Sequence, residues 1–194
     1  MQFLFGTTSL ALNIIGYIPY IRDILRGIVK PQRITWAIWA ILVCVSAVNQ
    51  VLNDGGWSSL FLISTAILVV TTFALSFKYG VGGASRLDWV CLALAGILLI
   101  YWLTSQDTRF STIIAVGIDA IGAVPTLIKT YKHPGTETYI QWVMSGIAGI
   151  FAMVAVTRLD WVLLIYPAYV AVMNGAIVAT KYFRERTIKP VTAK

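Results

Sequence analysis

The sequence predicts an all-α membrane protein of seven transmembrane helices, in which a linker helix joins two parallel three-helix repeats (3+1+3). Three observations predict this fold class: apolar runs of membrane-spanning length, a pattern that recurs at a fixed offset, and basic residues confined to alternate turns. Of the 194 residues, 58% are hydrophobic and only 12% are charged. Soluble domains carry about 25% charged residues, so the composition excludes that class.

Seven apolar segments approach the roughly 20 residues that a helix needs to cross the hydrocarbon core of a bilayer. They cover residues 4–21, 34–52, 59–77, 89–104, 110–128, 139–156 and 161–180. The first ten residues lack the basic region and cleavage site of a secretory signal. We therefore expect the first segment to be a spanning helix.

A pattern in the first segment recurs 106 residues later, which predicts a duplication. The aligned pairs are Gly16 and Gly122, Pro19 and Pro125, Trp36 and Trp142, and Asp54 and Asp160. Matches of Ile on Ile carry little weight in so apolar a chain, whereas Gly, Pro, Trp and Asp do not share one offset by composition alone. The predicted units are a first repeat (1–80), a linker helix (81–108), a second repeat (109–183) and a basic tail (184–194).

The basic residues predict the orientation of the chain. Thirteen of the 15 Lys and Arg residues lie in alternate turns and in the tail: Arg22, Arg26, Lys30, Arg33, Lys78, Arg86, Lys129, Lys132, Lys181, Arg184, Arg186, Lys189 and Lys194. The other side has only Arg109 and Arg158. Under the positive-inside rule the N-terminus lies outside and the C-terminus in the cytoplasm. A three-helix unit repeated in the same orientation needs one further crossing, which explains the linker helix. We expect a multi-pass protein of the cytoplasmic membrane of a prokaryote.

The order of these features resembles the SWEET and PQ-loop (MtN3-like) transporter superfamily over essentially the whole chain. The best-matching stretches are 16–36 and 122–142, each with Gly, Pro three residues later, a basic turn and a closing Trp. The family's PQ dipeptide is replaced by Pro19-Tyr20 and by Pro125-Thr126. The resemblance implies transport of a small polar solute, because the SWEET branch moves sugars and the lysosomal branch moves amino acids.

A PQ dipeptide does occur elsewhere, at Pro31-Gln32 in the loop after the first helix, and Pro134-Gly135 is its counterpart. We interpret it as a chance match to the family motif.

The two repeated prolines are candidate hinges. Proline removes a backbone donor and pushes against the carbonyl four residues earlier, so Pro19 and Pro125 each weaken a helix at one place. Gly16 and Gly122, three residues before, allow a neighbouring helix to approach closely. A static proline kink, common in membrane helices, is the alternative.

Polar groups in the middle of a membrane helix are costly and call for a reason. Asn13 and its repeat partner Asp119 both occupy the middle of a predicted helix, and we expect both to face a shared cavity that binds the solute. A carboxyl without a partner in hydrocarbon favours its protonated form, so Asp119 is a candidate for proton coupling. The alternatives are an interhelical hydrogen bond for Asn13 and a paired or water-facing acid for Asp119.

The resemblance also implies substrate-binding positions in the third and seventh helices, where the SWEET family has one Asn each. Asn174 matches this pattern seven residues before Lys181, and Thr71 replaces the other Asn seven residues before Lys78.

Two further features favour structural roles. Trp36 and Trp142 each open a helix and are expected in the interfacial aromatic belt. The tetrapeptide RLDW occurs at 86–89 and 158–161, where its Asp is expected to cap a helix.

The favoured function is a carrier that works by alternating access, by uniport or coupled to protons. The alternative is a non-transporting seven-helix receptor or adaptor on the same fold; a retinal protein is disfavoured because Lys181 lies at the end of its helix. No enzyme, cofactor or metal site is predicted, since Cys44 and Cys91 lie in apolar segments and no metal-ligand spacing occurs. The expected partners are a small-molecule solute and the lipid bilayer. Nucleic acid is not expected, because the basic residues lie in turns, and a homo-oligomer is compatible with the sequence.

Overall fold

A computed structural model of the chain describes residues 2–52, 57–105, 108–154 and 161–188. Within these ranges it does not describe the side chains of residues 2–6, 9, 49–52, 57–62, 108–109 and 162–163. The repeated pair Asp54 and Asp160, together with Arg158 and the tail beyond residue 188, lies outside the described residues.

Within the described residues the chain forms seven α-helices. They are α1 (Gln2–Leu25), α2 (Arg33–Leu52), α3 (Trp57–Tyr79), α4 (Arg86–Thr104), α5 (Thr108–Lys132), α6 (Tyr139–Val154) and α7 (Trp161–Thr187), with a short 3₁₀ helix over Pro134–Thr136. The described residues of each predicted apolar segment fall in one of these helices, so the all-helical class and the helix number are confirmed for the described part of the chain. Among the helical stretches whose side chains the structure describes, three are long and apolar enough to cross a membrane: Arg86–Thr104, Phe110–Lys132 and Leu164–Thr187.

Six of the helices pack in a ring. Its order is α1, α3, α2, α5, α7, α6 and back to α1, while α4 lies outside against α5 and α2. In each half of the chain the third helix lies between the other two. The halves meet along two lines, where α1 packs on α6 and α2 packs on α5.

Two glycines lie at these meeting lines. A Cβ added to Gly16 of α1 would lie 3.0 Å from the Cβ of Met144 on α6, and one added to Gly122 of α5 would lie 3.0 Å from the Cγ2 of Ile38 on α2. Small residues allow two helices to approach closely enough for extensive van der Waals packing. Both glycines therefore support helix contact, as their positions in the sequence predict.

The start of α4 differs from the prediction that the Asp of the RLDW tetrapeptide is the N-cap. Its N-cap is Ser85, and Asp88 occupies the third helical position. The backbone N–H of Asp88 donates to Ser85 Oγ at 3.1 Å, and the backbone N–H of Ser85 donates back to Asp88 Oδ2 at 3.1 Å. This is a capping box, which satisfies two backbone donors that the first turn of a helix leaves free.

Gln32 is buried and joins α2 to α4. Its Oε1 accepts from the backbone N–H of Ile34 at 2.7 Å and of Thr35 at 3.1 Å, so it caps α2. Its Nε2 donates to Asp88 Oδ1 at 2.7 Å. A Cβ on Gly82 would lie 2.2 Å from that Nε2, and Gly82 has a φ of +82°, so glycine is required there on two grounds. The Pro31-Gln32 dipeptide therefore has a structural role in this chain.

Candidate functional site

A cavity of about 350 Å³ lies inside the helix ring. Its described lining residues come from α1, α2, α3, α5, α6 and α7, and none comes from α4. The lining runs along α2 from Trp36 to Ser46 and along α6 from Gln141 to Ala152. A volume of this size suits a small molecule, and the cavity lies where the two halves of the chain meet.

Asp119 lines this cavity and is held by two tyrosines. The hydroxyl of Tyr166 donates to Asp119 Oδ2 at 2.7 Å, and that of Tyr169 donates to Oδ1 at 3.0 Å. Both tyrosines belong to α7 and also line the cavity. The sequence-based expectation of a carboxyl without a partner is therefore wrong. The alternative that Asp119 pairs with polar neighbours agrees with the structure.

Asn13 lines the same cavity from the opposite half. Its Nδ2 donates to Thr65 Oγ1 on α3 at 3.3 Å. Asn13 and Asp119 thus share one cavity, and each binds the third helix of its own half. Whether either contacts a solute stays a prediction.

Of the two substrate-binding positions that the family resemblance implies, one lines the cavity and the other does not. Asn174 lines the cavity, and its Nδ2 donates to the Val170 carbonyl at 2.8 Å. Thr71 is exposed, donates to the Ile67 carbonyl at 2.7 Å, and is not among the lining residues. Counting from a helix end places a residue only approximately, and each residue of error rotates a side chain by about 100° around the helix. Among the described side chains of α3, the polar one that lines the cavity is Thr65.

Pro19 and Pro125 lie inside continuous helices, six residues beyond Asn13 and Asp119 towards the basic turns. Neither lines the cavity. A third helix proline, Pro167 of α7, does line it, and its carbonyl oxygen lies 2.9 Å from a Cβ placed on Gly149 of α6. The sequence pattern did not single out Pro167, because it has no counterpart in the first half.

Trp36 and Trp142 are not interfacial belt residues, contrary to the expectation. Trp36 is 1% exposed and Trp142 is 3% exposed. Their ring centroids are 6.5 Å apart, and those of Trp39 and Tyr20 lie within 5.5 Å of Trp36. With Tyr17, these side chains form an aromatic layer at the basic-turn end of the cavity. Because α1 packs on α6 and α2 packs on α5, the first turns of α2 and α6 face the interior of the ring. The sequence alone did not reveal this orientation.

A group of hydrogen-bonded residues lies beside the aromatic layer, and we call Lys30, Lys129, Glu137 and Trp142 the turn cluster. Lys129, Glu137 and Trp142 are buried, whereas Lys30 is exposed and takes part through its backbone. Lys129 Nζ pairs with the Glu137 carboxylate and also donates to the carbonyl oxygen of Lys30 at 2.6 Å. Trp142 Nε1 donates to Glu137 Oε2 at 2.9 Å. The Lys129 and Glu137 side chains are 6% and 0% exposed. The hydrogen bonds of the turn cluster connect the turn after α5 to the turn after α1.

Two more hydrogen bonds connect the halves at this end. The backbone N–H of Lys30 donates to the Thr136 carbonyl at 3.0 Å, and Thr126 Oγ1 donates to Thr35 Oγ1 at 2.9 Å. Sequence analysis assigned Lys30 and Lys129 only to the orientation signal. The one sequence feature that marks this site is Glu137, an acidic residue in an otherwise basic turn.

Comparison of the chain with protein-family models, with curated proteins and with solved structures gave no match.

Proposed function

We propose that this protein is a membrane carrier that moves a small polar solute by alternating access. The observation that carries the proposal is a small-molecule cavity enclosed by helices of both halves and closed at its basic-turn end. Carriers built from repeats bind their solute near the midplane, where the repeats meet, and open to one side at a time. The aromatic layer and the turn cluster would form the closed gate of such a cycle.

The proposal interprets the two halves as parallel three-helix repeats with α4 as the linker. Gly16 contacts Met144, and Gly122 contacts Ile38. Gly16 and Gly122 are 106 residues apart, and so are Ile38 and Met144. Each residue of one contact is therefore replaced in the other contact by its counterpart 106 residues away. This is expected for two related units that face each other.

The distribution of Lys and Arg supports a cytoplasmic C-terminus and an external N-terminus. A reporter fused after Lys194 is therefore expected to be active only in the cytoplasm. If it is active only outside, both this orientation and the assignment of the closed gate to the cytoplasmic side are wrong.

Transport itself is tested with purified protein in lipid vesicles loaded with labelled sugars, amino acids and amines in turn. We expect saturable flux of one solute class above that of empty vesicles. Asn174→Ala should weaken solute binding by about 1 to 3 kcal/mol, because a buried polar partner is lost. The matched control is Thr71→Ala, an exposed polar residue outside the cavity, which should leave binding unchanged.

Absence of flux for every solute class, with folded protein in the vesicles, would contradict transport. It would favour the alternative, a non-transporting receptor or adaptor on the same fold.

Proton coupling is tested with Asp119→Asn. An amide preserves hydrogen bonding to the tyrosines but does not exchange a proton near neutral pH. If Asp119 is the coupling group, uptake driven by an imposed pH gradient should disappear while exchange of labelled for unlabelled solute persists at saturating solute concentrations. Tyr166→Phe is the matched control, because it removes one hydrogen bond and keeps the carboxyl, and it should retain gradient-driven uptake. A wild-type protein indifferent to the pH gradient would instead be a uniporter.

The hinge role of Pro19 and Pro125 is tested by replacing each with Ala. Alanine restores the hydrogen bonds to the carbonyls of Ile15 and Ile121, so the helices should bend less readily. We expect slower exchange of labelled solute with nearly unchanged solute affinity, since gating and not binding is affected. Unchanged exchange rates in both variants would assign the prolines to static kinks.

A further inference from the structure

The charged residues that line the cavity indicate which class of solute it can bind. Asp119 is the only Asp or Glu among its described lining residues, and these residues include no Lys, Arg or His. A solute with a negative group would meet a carboxylate there without a compensating cation. The lining therefore favours a positively charged solute over an anion or a zwitterionic amino acid.

Aromatic rings surround the same space. Tyr17, Trp36, Trp39 and Trp142 all line the cavity, and Trp39 lies 5.3 Å from Trp36 and 6.1 Å from Trp142 between ring centroids. Trp39 Nε1 donates to the backbone carbonyl of Asp119 at 3.3 Å, so the aromatic wall and the carboxylate residue are direct neighbours. Trp is the aromatic side chain that attracts cations most strongly, through the negative face of its ring.

Several hydrogen-bond donors of the wall are engaged with the protein itself, although the buried indole N–H of Trp36 has no hydrogen-bond partner. The amide groups of Asn13, Gln141 and Asn174 donate to Thr65 Oγ1, Ser145 Oγ and the Val170 carbonyl, respectively. The indole N–H of Trp142 donates to Glu137. A sugar or a carboxylate needs donors from its site, whereas an ammonium group needs none because it has no acceptor.

We infer that the solute is a small monovalent organic cation of the amine or quaternary ammonium class. Its charged group would lie beside Asp119, and its carbon groups against Trp39 and Trp36. The identification of this cation as the transported solute rests on the proposed carrier function, whereas its binding in the cavity rests on the lining alone.

The test compares cations with neutral molecules of nearly the same shape. The solubilised full chain is titrated with choline and with 3,3-dimethylbutan-1-ol, and separately with n-butylamine and with butan-1-ol. A ligand that binds only the folded state raises the melting temperature, and the shift grows with the logarithm of ligand concentration above Kd. We expect at least one cation to raise the melting temperature at concentrations at which its neutral counterpart does not.

Variants locate the binding. Trp39→Leu and Asp119→Asn should each weaken cation binding by about 3- to 30-fold, whereas Trp39→Phe should retain part of it, because an aromatic face remains. The matched control is Trp89→Leu, an exposed tryptophan on α4 outside the ring, and it should bind as the wild type does. Trp39→Phe also serves as the informative variant if Trp39→Leu does not fold.

The inference is overturned if a cation and its neutral counterpart stabilise the protein equally, or if neither cation stabilises it. It is also overturned if cation binding is unaffected in Trp39→Phe, Trp39→Leu and Asp119→Asn. Flux of a sugar without cation binding would remove the inference and keep the carrier. Cation binding without flux in vesicles would keep the site and remove the carrier.

Discussion

The contact of Gly16 with α6, and the equivalent contact of Gly122 with α2, is the constraint on which the rest of the structure depends. Small residues let helices approach closely, and the helices then associate by van der Waals packing and by polar bonds. At both contacts a single methyl group would already touch the facing helix. The close contacts bring α1, α2, α5 and α6 together on two sides of the ring, and the cavity between them is a consequence.

Two polar residues inside the ring, Asp119 and Asn13, have hydrogen-bond partners on a neighbouring helix. Asp119 binds two tyrosines of α7, and Asn13 binds Thr65 of α3. An unpaired charge or amide at this depth is expensive, and these bonds remove most of that cost. They also hold the third helix of each half against the first. The same bonds therefore stabilise the ring and give the cavity its polarity.

The two halves differ in the residues that pack where they meet. Tyr20 fills the crossing of α1 with α6 by packing on Trp142, with 6.1 Å between ring centroids. Its counterpart Thr126 instead forms a hydroxyl pair with Thr35 of α2. One crossing is thus filled by aromatic packing and the other by a hydrogen bond. The turn cluster adds a buried ion pair on the Thr126 side, where breaking the pair would leave an uncompensated buried charge.

The sequence by itself determined the seven helices, the positions of the two contact glycines and the mid-helix pair Asn13 and Asp119. Each follows from local information: the length of an apolar segment, the size of a residue, or the offset of 106 residues at which Gly and Pro recur. Only the tertiary structure decided which side of each helix faces the cavity. Thr71 was placed by counting from a helix end and lies outside, whereas Thr65 lies inside, because a small error in register rotates a side chain to another helix face. The partners of Asp119, the burial of Trp36 and Trp142, and the ion pair of Lys129 with Glu137 likewise required the packed ring. These contacts join helices distant in sequence, and neither composition nor periodicity carries that information.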